Sequence, residues 1–76
     1  MSYKIQGVLD FGKRLKELRL KQNLSLDDIS ANMGVSLSTY QQWEQGQWVL
    51  DEKDYFNLAA VLDVTSEFLI FGKEIR

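Results

Sequence analysis

Seventy-six residues, 45% of them apolar and 26% charged, suffice for one folded domain at most, with little interior to spare. Cysteine and histidine are both absent, which excludes disulfides, thiolate or imidazole metal sites and the usual general base. The formal charge of −2 is unevenly spread. Five basic residues oppose four acidic ones from Phe11 to Gly46, and three oppose six from Gln47 onward. Any attraction to a polyanion must therefore come from the first half.

The chain opens with MSYKIQGVLD. Tyr3, Ile5 and Val8 suit a short strand, an arm or an irregular cover, so residues 1–10 read as an N-terminal extension. The stretch lacks the apolar core of a signal peptide. No apolar run approaches the roughly 20 residues needed to cross a membrane. The expected location is the cytoplasm.

From residue 11 to residue 76 the sequence reads as one helical domain. Helix 1 is expected over 11–22, capped by Asp10, with Phe11, Leu15 and Leu18 on one stripe and the basic residues mostly off it. Helix 2 follows over 26–33 and stops at Gly34. Helix 3 runs over 37–45 to Gly46, helix 4 over 52–62 with Tyr55, Leu58, Ala59 and Leu62 inward, and helix 5 over 66–71 to Gly72. One device marks four of these starts. An apolar residue is followed by a short polar cap, and a second apolar residue stands five positions after the first: Leu24-Ser25 with Ile29, Val35-Ser36 with Tyr40, Leu50-Asp51 with Tyr55, Val64-Thr65 with Leu69. Each cap oxygen takes a free backbone N–H, and each apolar pair can staple the entry. The expected fold class is all-α, a compact five-helix bundle.

Helices 2 and 3 are short and joined tightly at Gly34. That is a helix-turn-helix, in which the first helix braces and the second enters the major groove of DNA. Ser30 is small where the helices cross, and Gly34 permits a positive φ. Val35, Tyr40 and Trp43 are expected to face the core, which leaves Leu37, Ser38, Gln41, Gln42 and Gln45 outward.

The segments FGKRLKELR, NLSLDDISANMGVSLSTYQQWEQG and LAAVLDVTSEFLIFG together resemble the Cro and phage-repressor type of helix-turn-helix domain, from about Phe11 to Gly72. The resemblance implies a lambda-repressor-like DNA-binding fold and a sequence-specific transcriptional regulator. Its partners would be double-stranded DNA and a second copy of the chain on a two-fold operator; no cofactor or metal is expected. It places Arg19 and Glu44 as a partly buried ion pair between helices 1 and 3. It places Leu37, Ser38 and Gln42 at base-reading positions, with Gln41 beside them. Gln42 is the best reader, because a glutamine can bond adenine N6 and N7 together. Ser25 and Ser36, at helix N-termini, are expected on phosphates, with Arg19, Gln45 and Gln47 as further backbone contacts.

The sequence also departs from the family. Leu26 stands where a glutamine is usual, Leu37 replaces a polar reader, and Tyr40 replaces a smaller aliphatic. The segment QGQWVLDEKD carries three acids and one lysine where the family often has lysines, arginines and a proline. Acids beside phosphate repel it. Trp48 reads either as a lid over the core near Trp43 or, where it is exposed together with Val49, Leu26 and Leu37, as part of a candidate protein interface. The alternative reading is a protein-interaction module on the same fold, an antagonist or partner of another regulator. An enzyme is not expected: no His, Cys, phosphate-cradling glycine loop or paired carboxylates can be found.

Overall fold

The computed structural model describes residues 3–47 and 50–72, with side chains from residue 10 onward. These residues form five α-helices: α1 (Tyr3–Lys21), α2 (Leu26–Met33), α3 (Leu37–Glu44), α4 (Glu52–Leu62) and α5 (Ser66–Phe71). No strand occurs among the described residues.

Four helices start at the caps the sequence offers. The side-chain oxygens of Ser25, Ser36, Asp51 and Thr65 accept the backbone N–H three residues on, from Asp28, Thr39, Asp54 and Phe68, at 2.9–3.1 Å. Each cap residue is itself extended, with ψ between 155 and 175°, so the chain enters each helix at a bend. Gly34 and Gly72 end α2 and α5 in the left-handed conformation, at φ 70° and 81°. Asp63 ends α4 in the same region at φ 59°, a position a short polar side chain tolerates.

The first helix corrects an expectation. It begins at Tyr3, and Asp10 lies inside it, so Asp10 is not its cap. Gly7 weakens a helix by about 1 kcal/mol relative to alanine without breaking it, and no proline interrupts the segment. From Tyr3 to Asp10 the chain is therefore a continuous part of α1 rather than a strand or irregular arm.

Each helix supplies at least one fully buried side chain: Leu15, Ile29, Tyr40, Leu58, Leu62 and Leu69. The helices pack as a closed set, α1 on α3 and α5, α2 on α3 and α4, α4 on α5. Phe11 and Tyr55 meet edge to face at 5.4 Å and join α1 to α4. At Gly12 the backbone of α1 comes up against the end of α3. A Cβ there would overlap the Glu44 carbonyl and stand 3.1 Å from the carbonyl oxygen of Trp43. Only a glycine lets α1 approach the end of α3 so closely. This approach, with the packing of α2, fixes where α3 sits.

Candidate nucleic-acid interface

The turn between α2 and α3 is built from backbone. The Gly34 N–H donates to the Ala31 carbonyl at 3.1 Å, and the Val35 N–H to the Ser30 carbonyl at 3.0 Å. Buried Ser30 turns its hydroxyl back to the Asp27 carbonyl at 3.1 Å. Ser30 is small and buried at this turn, and α3 packs directly against α2.

The outer face of α3 carries the predicted readers. Leu37 (39% exposed) and Ser38 open the helix in solvent, and Gln41 and Gln42 follow one turn later, half-buried. Their spacing of three to five residues puts them on neighbouring turns of one surface. Gln45 and Gln47 are exposed just beyond, where the Gln47 N–H closes the helix end on the Gln42 carbonyl at 3.0 Å. The opposite face is core: Tyr40 is fully buried and Trp43 only 2% exposed, their rings 5.8 Å apart edge to face.

The helix N-termini differ in charge. Those of α2 and α4 are closed by acidic capping boxes, in which Asp28 Oδ2 accepts the Ser25 N–H at 3.0 Å and Asp54 Oδ2 accepts the Asp51 N–H at 3.4 Å. The bond from the Ser25 backbone, then that from its side chain, holds the Asp28 carboxyl below the usual carboxylate range. The N-terminus of α3 is closed by hydroxyls alone: Ser36 accepts the Thr39 N–H and donates to Thr39 Oγ1 at 2.9 Å. Of the two serines expected on phosphates, Ser36 stands at a carboxylate-free terminus and Ser25 beside Asp28.

Arg19 and Glu44 form the expected ion pair. Arg19 Nε lies 2.7 Å from Glu44 Oε2, the side chains 8% and 10% exposed. Arg19 Nη1 donates to the Leu24 carbonyl at 2.9 Å, and Nη2 makes a longer bond of 3.4 Å to Glu44 Oε1. One guanidinium therefore ties α1 to both the α1–α2 turn and the end of α3. The hydrogen bond to Glu44 raises its already high pKa, against desolvation. Arg19 is also the expected phosphate contact that the geometry does not favour, because its nitrogens are buried on internal acceptors.

Three features escaped the sequence. Tyr40 donates its hydroxyl to Glu44 Oε2 at 2.6 Å. Burial, then this bond, pushes the phenol well above its ordinary pKa, so it stays a donor. The four-residue spacing of Tyr40 and Glu44 was the available signal. Arg14 Nε and Nη2 donate to the carbonyls of Leu69 and Ile70 at 3.2 and 3.3 Å, capping the C-terminus of α5. That contact is 55 residues away in sequence and has no local signal. Gly12 is the third. Among the basic residues of α1 from Phe11 onward, Lys13, Lys16 and Lys21 remain exposed.

Of the candidate protein-interface residues, Leu26 is half-buried and packed against the core, which leaves it only partly available. Trp48 and Val49 lie outside the described residues. No helix of the described residues is long and apolar enough to cross a membrane.

The comparisons with known proteins agree with this geometry. A family model described as helix-turn-helix matches residues 15–69. An uncharacterized HTH-type transcriptional regulator of Bacillus subtilis, YqaE, is 27% identical over 63 residues, 83% of this chain and 54% of the relative. The chain thus spans about half the length of that relative. The crystal structure of the restriction-modification controller protein C.AhdI from Aeromonas hydrophila superposes with a TM-score of 0.77 at 31% identity, covering 82% of this chain and 94% of that one. With five helices among the described residues, a glycine turn between α2 and α3 and these matches, the chain belongs to the helix-turn-helix family, in its Cro and phage-repressor form.

Proposed function

We propose that the chain is a sequence-specific DNA-binding transcriptional regulator that reads the major groove with α3, as a homodimer on a two-fold site. One observation carries the reading. The residue types that bond base edges, Ser38, Gln41 and Gln42, share the outer surface of a helix whose opposite face is locked in the core. Leu37 adds an apolar contact suited to a thymine methyl. Ser36, with Gln45 and Gln47, supplies phosphate contacts; Ser25 is a weaker one because Asp28 repels phosphate beside it. Lys13, Lys16 and Lys21 give α1 a general attraction to DNA. The HTH-type regulator and the controller protein matched above support the regulatory role.

The phosphate grip of one copy is thin in this reading, and pairing compensates through effective concentration. The surface we assign to the pair is the apolar side of α1 and α5, where Leu20, Ile70 and Phe71 are exposed and Leu18, Leu20 and Phe68 line a shallow groove.

The second reading, a protein-interaction module, is favoured by the apolar tip that Leu37 gives α3 between acidic helix starts. Fluorescence anisotropy against duplexes tiled across the DNA flanking the chain's own gene separates the two. DNA reading predicts one preferred tile, saturation at two chains per duplex, a steep loss with salt, and a cost of about 1–3 kcal/mol for Gln42→Ala at that tile. No binding by the folded protein at low salt leaves the protein-module reading.

A further inference from the structure

We propose that Tyr40 is a positioning residue for base recognition: its hydroxyl locks the Glu44 carboxylate onto Arg19 and so fixes the pitch at which α3 presents Leu37, Ser38, Gln41 and Gln42. The inference rests on the reading that α3 reads DNA. Tyr40 is fully buried in the core. Filling that volume needs no hydroxyl, and an unpaired one would be costly in so buried a place. The hydroxyl is paired, at 2.6 Å, and its acceptor is the oxygen that also takes Arg19 Nε at 2.7 Å. Among the described residues, Glu44 Oε1 receives only the 3.4 Å bond from Nη2.

Glu44 Oε2 is thus a side-chain joint between α1 and α3, beside the backbone approach at Gly12, and it is held by two donors, one from each helix. With one donor removed, the carboxylate can pivot and exchange its oxygens on Arg19. The far end of α3 amplifies that freedom. Leu37 lies roughly 10 Å along the helix from Glu44, so a tilt of about 10° there moves it by nearly 2 Å. Recognition geometry tolerates only about 0.5 Å. The hydroxyl therefore acts on bases it does not touch.

The experiment is enrichment of a random-sequence duplex library by the wild type and by Tyr40→Phe, followed by affinity for the enriched sequence and for a scrambled duplex at several salt concentrations. Positioning predicts that Tyr40→Phe keeps its affinity for the scrambled duplex and its salt slope, while preference for the enriched sequence falls by roughly tenfold, the order of one mismatched base pair. A hydroxyl that only stabilises the fold would reduce both affinities together, through the folded fraction. An unchanged motif and preference in Tyr40→Phe overturns the role of Tyr40 and leaves DNA reading standing. A folded wild type that enriches no sequence overturns both. Should Tyr40→Phe not fold, NMR of the wild type decides. A buried hydroxyl bonded to a carboxylate gives a slowly exchanging proton signal for Tyr40, and no such signal at low temperature overturns the bond and the inference with it.

Discussion

The two ends of α3 are held in opposite ways. At the C-terminal end Glu44 is gripped by Arg19 and Tyr40, and the backbone of α1 presses on its carbonyl through Gly12. At the N-terminal end only the Ser36–Thr39 hydroxyl cap closes the helix, and Leu37 and Ser38 project into solvent. The first end is costly in desolvation and specifies one geometry; the second is cheap, polar and presented. A helix anchored at one end and offered at the other suits reading a surface, since the anchor sets direction without occupying the readers.

Mutations that attack the anchored end should cost most. Arg19→Met leaves Glu44 buried without its cation and is expected to destabilise the fold by about 3–5 kcal/mol in chemical denaturation. A loss below about 1 kcal/mol would mean that the pair is no anchor. Gly12→Ala forces α1 away from the end of α3 and is expected to cost about 1–3 kcal/mol by the same assay. An unchanged midpoint would show that the approach is not tight. At the presented end, Ser36→Ala removes one cap and should cost about 1 kcal/mol; a loss as large as that of Arg19→Met would erase the contrast between the ends.

The smallest effect belongs to the acidic box at the start of α2. Folding lowers the Asp28 carboxyl pKa, so its contribution is present above the ordinary carboxylate value of about 4 and is lost as pH falls through the lowered one. The pH–stability curves of the wild type and Asp28→Asn should differ at neutral pH and converge in acid. Parallel curves would mean that the box does not contribute. Asp28 is exposed, so salt should shrink the difference.

What the sequence reveals follows the range of the interaction. Ser25, Ser36, Asp51 and Thr65 act over three residues, and each marks a helix start that is found where expected; α2, α4 and α5 keep their expected ends. The start of α1 is not legible in the sequence, because the spacing of Tyr3, Ile5 and Val8 suits a strand as well as a helix and Gly7 favours neither. The Arg19–Glu44 pair came from family resemblance, since no local rule joins residues 25 apart. The hydroxyl bond of Tyr40 spans four residues, a spacing visible in the sequence, but an expected place in the core does not by itself name the partner of a buried hydroxyl. The Arg14 contacts carry no sequence signal, because their acceptors lie 55 and 56 residues away. The outward face of α3 was read from period and capping; which bases it meets depends on a partner that no intrachain rule describes.

The most direct test of the account is an amide NMR map of the labelled protein titrated with its tightest-binding tile. Shifts concentrated at Leu37, Ser38, Gln41 and Gln42 and at the N-terminus of α3, with α4 unmoved beyond its first turn, are the predicted result. Shifts that leave α3 untouched and fall on another face would contradict the claim that this helix is the reader.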